Sequence, residues 1–301
     1  MRSTRFALPS LVLGLALCAS TPVWTQTQAG NSWAVSAPND YRIVPNVVYG
    51  TAGGHELKMD VYVRREVGPR PTLMFMHGGF WATGSKEASF LSLLPWFEMG
   101  WNVVNVEYRL ARVAQAPAAV EDCLCALRFV AVQAQAYNVD VSNIVVSGES
   151  AGGHLALALG MFPEDTRLDG QCAGAPLPRV AAVVNWFGVT DVADVVEGPN
   201  RSTLAASWMG SRPDWQDVSR RLSPLTYVRA GLPPILTIHG DADTIVPYAQ
   251  GERLHEALTK AGSPNQLLTI PGGRHGGFTV EQRTRIYQTI REFLTKHKVG
   301  M

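Results

Sequence analysis

Residues Gly148-Glu149-Ser150-Ala151-Gly152-Gly153 set a serine between glycines two places before and two places after it. A serine hydroxyl acts as a nucleophile when it is held clear of the backbone within reach of a base. A tight strand-to-helix turn with small neighbours achieves that. A helix beginning there also favours negative charge developing at its N-terminus. Glycine accounts for 28 of 301 residues, so the pattern can arise by chance, and its position after the apolar run 144–147 gives it weight. A second glycine pair, in His77-Gly78-Gly79-Phe80-Trp81, follows another apolar run. Consecutive glycines let backbone N–H groups approach a substrate closely, as stabilising an oxyanion requires. Gly78, Gly79 and Ala151 are the candidate donors. Residues 79–86 mimic a phosphate-binding loop, but Ser85 stands where that loop needs lysine, so nucleotide binding is rejected.

A serine nucleophile needs a base and a group to orient the base. Two carboxylates follow the apolar run 235–238, in His239-Gly240-Asp241-Ala242-Asp243. Asp243 is preferred as the orienting group because it lies further into the loop, where its side chain can swing towards a neighbouring site. Asp241 is assigned turn duty, which is common for aspartate. Of seven histidines, His275 is the candidate base: it lies between two glycine pairs, in a loop after the last apolar run. His55 lies in the N-terminal hairpin, His77 and His239 end strands and brace their loops, His154 packs along the helix after Ser150, His255 falls on a surface-like helix and His297 in the tail. Phe80, Trp81, Trp186 and Phe187 sit beside strand exits and are candidates to line a substrate pocket.

The elements that must position these residues follow from hydrophobic pattern. Residues 43–49 and 57–63 alternate around Gly53-Gly54 and read as a hairpin. Runs at 72–76, 102–106, 143–147, 180–186, 235–239 and 266–270 are apolar without alternation, as in strands covered on both faces. Helices are expected at 118–137, 150–161, 248–261 (ending at Gly262) and 279–297. Strands alternating with helices imply an α/β fold with a mainly parallel sheet. Residues 31–40 read as an extended polar leader. Residues 190–234 read as an insertion over the carboxyl edge of the sheet, within a single domain at 41–298.

Composition narrows the rest. The chain has 26 basic and 25 acidic residues, is 46% hydrophobic and is only 17% charged, against about 25% charged in average soluble domains. Such a chain buries a large core, and its near-zero net charge argues against nucleic acid or an anionic membrane as partner. Arg2 and Arg5 precede an apolar stretch at 6–19, too short for an ordinary membrane span. It reads as a signal peptide within residues 1–29, cleaved between 20 and 29, for a secreted or periplasmic protein with no membrane span after its removal. Alternatives are an uncleaved anchor and acylation at Cys18, the latter disfavoured by Leu17 before it. Cys123, Cys125 and Cys172 remain. The first two lie two apart on a helix and cannot chelate one metal together. One of them can pair with Cys172 in an oxidising compartment, and no metal site is expected.

The ordered set Ser150, Asp243, His275 resembles the triad of the α/β-hydrolase superfamily, which has this chain order. Glu107-Tyr108-Arg109-Leu110, the motifs around Ser150 and Asp243, and Val246-Pro247 are similar to the small carboxylesterases of the hormone-sensitive-lipase-like and feruloyl/acetylxylan-esterase-like groups. The lipase-like group often has a third glycine where Phe80 stands, so the His-Gly-Gly-aromatic-Trp form is closer to feruloyl-esterase-like and kynurenine-formamidase-like enzymes. The resemblance implies an eight-stranded α/β-hydrolase sheet with helices on both faces and a small cap insertion. It also implies an oxyanion hole at Gly78, Gly79 and Ala151, and no cofactor. The expected activity is serine carboxylesterase chemistry on short-chain or aromatic esters, including ester-decorated polysaccharide. An arylformamidase or amidase would use the same residues, and a non-catalytic binding protein on this fold is the alternative of another class.

Overall fold

Short runs of valine, isoleucine, leucine and methionine become eight strands in the computed structural model, which describes residues 32–163, 166, 168, 172 and 176–301. The expected signal peptide, with Cys18, lies outside the described residues. The strands are β1 (Tyr41–Ala52), β2 (His55–Arg64), β3 (Arg70–Met76), β4 (Asn102–Val106), β5 (Val139–Glu149), β6 (Ala182–Trp186), β7 (Ile235–Gly240) and β8 (Asn265–Ile270). They form one sheet in the order β1-β2-β4-β3-β5-β6-β7-β8. β1 and β2 form the expected hairpin, β2 runs antiparallel to β4, and all later pairings are parallel.

Every residue of β4, β6 and β7 is buried, because helices cover both faces of the sheet. Within β3 the side chains alternate between two core layers: Met74 and Met76 in one, Leu73 and Phe75 in the other. The first layer packs against α3 (Ala118–Val132), α4 (Ala151–Met161) and α8 (Tyr248–Lys260). The second packs against α2 (Phe90–Glu98) and α9 (Val280–Lys296). α9 starts with a capping box, in which the Thr279 side chain accepts from the Gln282 N–H and the Gln282 side chain accepts from the Thr279 N–H, so two orphan amides of the first turn are satisfied.

Several local expectations change. Residues 31–40 are not extended: Ser32–Asp40 forms helix α1. Trp33 packs against the second core layer, and the Ser36 hydroxyl reaches the Asp40 carboxylate at 3.0 Å. These contacts offset the hydrogen bond that Pro38 cannot make. α3 stops at Val132 rather than near 137; beyond it the chain runs through turns, and the Asn102 amide donates to the carbonyls of Tyr137 and Asn138 at 3.0 and 2.9 Å. α2, with Pro95 inside it, was not anticipated. Between β6 and β7 lie three short helices: α5 (Val192–Val196), α6 (Thr203–Met209) and α7 (Trp215–Leu222). Cys125 is disulfide-bonded to Cys172, with Cα atoms 5.4 Å apart, while Cys123 is free and buried. Two residues apart on one helix, only one of the two thiols points towards Cys172.

Candidate active site

Ser150 sits between the end of β5 and the start of α4, with φ 56° and ψ −116°. A non-glycine residue in that region carries strain of about 1–3 kcal/mol and persists only where its surroundings dictate it. The Ser150 N–H donates to the Trp186 carbonyl at 2.9 Å, and the Ser150 carbonyl accepts from the His154 N–H at 3.0 Å. The flanking glycines are obligatory for space. A Cβ on Gly152 would run into the carbonyl oxygens of Met76 and His77, and one on Gly148 into the backbone of Gly152.

Asp243 lies after β7 and is almost wholly buried. Its Oδ2 accepts from His275 Nδ1 at 2.7 Å, and its Oδ1 accepts from the N–H groups of Ile245 and Val246 at 2.8 and 3.1 Å. His239 Nε2, which donates to the Val246 carbonyl, stands 3.4 Å from the same Oδ2. Burial works against the carboxylate charge, but the His239 and His275 imidazoles beside it and the backbone N–H of Ile245 outweigh that and hold Asp243 well below the ordinary carboxylate range. With Nδ1 donating to Asp243, His275 presents Nε2 as its proton acceptor. Asp241 does not cap its own turn as expected, since Asp243 Oδ1 takes the local N–H groups; its Oδ1 instead accepts from the Gly272 N–H at 2.7 Å, which staples the loop that carries His275.

Ser150, His275, Gly78 and Gly79 line one cleft of about 390 Å³. Ser150 and His275 face the same cleft without a hydrogen bond between them. Among the described residues no protein acceptor takes the Gly78 or Gly79 N–H, and Ala151 offers the first amide of α4, which has no partner within the helix. Three amides are therefore left without a protein acceptor, and those of Gly78 and Gly79 belong to residues that line the cleft.

Phe80, Trp186 and Phe187 line the cleft as expected, and the Phe187 ring lies 4.6 Å from the His275 ring. Trp81 does not. Its backbone φ of 56° follows φ 49° at Phe80, and this pair of left-handed residues turns the indole into the core, where it is fully buried and stacked on Trp208. His255, expected on a surface face, is buried and paired with Asn265 at 2.9 Å. The cleft also holds residues the sequence reading passed over: Ser92, Glu149, Ile245, Phe278 and Arg283. Glu149 stood inside the serine motif, and its carboxylate accepts from the Ser92 hydroxyl at 3.0 Å. Phe278 and Arg283 follow His275 closely in sequence, whereas nothing local marked Ser92. None of residues 190–234 lines the cleft.

The chain is 28% identical over 273 residues to the probable carboxylic ester hydrolase LipM of Mycobacterium tuberculosis, covering 85% of this chain and 63% of LipM. It is 29% identical over 231 residues to esterase LipC of the same organism, covering 72% of this chain and 56% of LipC. The chain thus spans about three fifths of the length of these curated relatives. Among solved structures, a truncated carbohydrate esterase from gut microbiota superposes with a TM-score of 0.73 at 27% identity, over 85% of this chain and 98% of that one. The apo form of Thermogutta terrifontis esterase 2 superposes with a TM-score of 0.74 at 25% identity, over 87% of this chain and 96% of that one. The neighbours bear out the α/β-hydrolase sheet. The BD-FAE family profile matches residues 59–258, a stretch that includes Ser150 and Asp243, and by that match the chain belongs to the BD-FAE family.

Proposed function

We propose that this protein is a serine carboxylic ester hydrolase working through Ser150, His275 and Asp243. The observation that carries the reading is the 2.7 Å bond from His275 to a buried Asp243, in a cleft shared with a serine at φ 56°. His275 Nε2 takes the proton from Ser150 Oγ as Oγ bonds to the ester carbonyl carbon. Asp243 keeps the imidazole in the required tautomer and stabilises its charge. The amides of Gly78, Gly79 and Ala151 receive the oxyanion. The carbon–oxygen bond to the alcohol then breaks, and the alcohol leaves with the proton from Nε2. Water, deprotonated by the same nitrogen, attacks the acyl carbonyl carbon; the bond to Ser150 Oγ breaks, Oγ takes the proton back from Nε2, and the carboxylic acid leaves.

The cleft supports a short or aromatic acyl group joined to a hydroxylated alcohol. Phe80, Phe187, Phe278 and Ile245 offer apolar surface, and Ser92, Glu149 and Arg283 offer hydrogen-bonding groups to hydroxyls. Esters of acetate or ferulate on polysaccharide fit that chemistry, in keeping with a carbohydrate esterase among the structural neighbours. The basic-then-apolar N-terminus and the Cys125–Cys172 disulfide support export to an oxidising compartment. The test is an activity panel of p-nitrophenyl acetate, butyrate and longer esters, methyl ferulate, acetylated xylan and N-formylkynurenine. Ester turnover and fluorophosphonate labelling are expected for the wild type. In Ser150→Ala both should vanish, with kcat down by about 10⁶ and the melting temperature held. Full activity in that variant would remove Ser150 as nucleophile, and preference for the formamide would overturn the ester assignment.

A further inference from the structure

Phe80 and Trp81 are both held at positive φ, 49° and 56°, directly after the glycines that offer amides to the cleft. Two consecutive non-glycine residues in that region need an external clamp. Trp81 supplies the handle. Its indole stacks on Trp208 of α6 with ring centroids 4.1 Å apart, meets the His154 ring edge-on at 4.9 Å, and donates its N–H to His154 Nδ1 at 3.2 Å.

The indole nitrogen can only donate, so His154 Nδ1 is the unprotonated nitrogen. His154 Nε2 therefore carries the proton and donates to the Leu222 carbonyl, 2.7 Å away at the end of α7. His154 itself is completely buried on α4, and its N–H bonds to the Ser150 carbonyl. One imidazole thus joins three separate pieces of chain: the helix behind the serine, the glycine loop, and the helices between β6 and β7.

We propose that His154 is a positioning residue for the oxyanion hole, setting the Gly78–Gly79 amides relative to Ser150 through its hydrogen bond to Trp81. The proposal rests on the acyl-transfer reading above. It gives residues 190–234 a role that lining the cleft does not provide: through Trp208 and the Leu222 carbonyl they hold the glycine loop from behind.

Trp81→Phe removes the donor while keeping an aromatic ring in the same pocket, and His154→Phe removes both hydrogen bonds. Each is expected to lower kcat on p-nitrophenyl acetate about tenfold, through misplaced oxyanion donors, with KM changed by less than about twofold. The inhibition constant of a trifluoromethyl ketone, whose serine adduct places an oxyanion in the hole, should rise by the same factor. The double variant should be no worse than the poorer single one, because both act through one bond. If His154→Phe does not fold, Trp81→Phe carries the test. A folded Trp81→Phe with unchanged kcat and ketone affinity, or with its whole loss in KM, overturns the positioning role. A wild type that neither hydrolyses the ester nor binds the ketone overturns the acyl-transfer reading, and the positioning role with it.

Discussion

The two sides of the cleft are built differently. On the serine side, Ser150, Phe80, Trp81 and Phe187 all adopt positive φ, and packing enforces it: glycines with no room for a Cβ, a stacked indole pair, a fully buried histidine. On the histidine side, Gly272, Gly276 and Gly277 take the positive φ values, and much of the loop at 271–277 is exposed. It is held by hydrogen bonds from His275 to Asp243, from the Gly272 N–H to Asp241 and from the Ala242 N–H to the Gly273 carbonyl, with one tight backbone contact of Gly273 on Gly240. Strain can be stored where a dense core dictates one conformation, whereas a loop on the rim relies on polar ties and glycine. Damage to the first side should therefore cost stability together with rate, and damage to the second should cost mainly rate.

The largest effect that tests this contrast is on the histidine side. Asp243→Asn should lower kcat by about 10⁴ through the wrong imidazole tautomer, with a modest change in melting temperature; steady-state kinetics and calorimetry measure both. Next, Gly152→Ala should destabilise the protein by about 3 kcal/mol, since its methyl meets backbone carbonyls that cannot move away freely. Its kcat should fall in parallel, and denaturant titration alongside kinetics would reveal a rate loss without a stability loss, which would break the contrast. Asp241→Ala should cost about tenfold in kcat by loosening the His275 loop while leaving the denaturation midpoint within error; an equal drop in stability would mean that loop is part of the cooperative core.

The smallest effect is on stability with pH. Burial lowers His154 and His255 from 6.5 to about 4 each. The folded protein thus resists a proton that the unfolded chain accepts, and stability is complete above about pH 6.5 and declines as pH falls towards 4. Asp243, held below the ordinary carboxylate range, keeps its charge through this window. Urea midpoints at stepped pH should show the decline, and His255→Asn should flatten part of it. A flat profile in the wild type would mean that neither histidine stays neutral in the fold.

The sequence carried much of this in a form that could be read directly. The six runs after the hairpin became β3 to β8: strands covered on both faces are mostly apolar, and even β8, half-buried at the sheet edge, keeps Leu267, Leu268 and Ile270. Asp243 was separable from Asp241 by its depth in the loop, and the two do differ in partner. Short segments with proline were harder. α1 and α2 contain Pro38 and Pro95, and contacts of Trp33 and Trp96 with the second core layer, distant in sequence, decide that they are helical. Trp81 was misplaced because adjacency to Gly79 pointed into the cleft, while two positive φ values turn its side chain the other way.

Sequence alone determined the order of serine, acid and histidine, the strands that carry them and the glycines at each turn, because these are local matters of residue size, backbone freedom and hydrophobic period. Tertiary structure decided which neighbours meet: Cys125 with Cys172, Glu149 with Ser92, Trp81 with His154 and Trp208. Those pairings join residues 47, 57, 73 and 127 positions apart. Their geometry depends on how the two core layers close around the sheet, which no window of sequence contains.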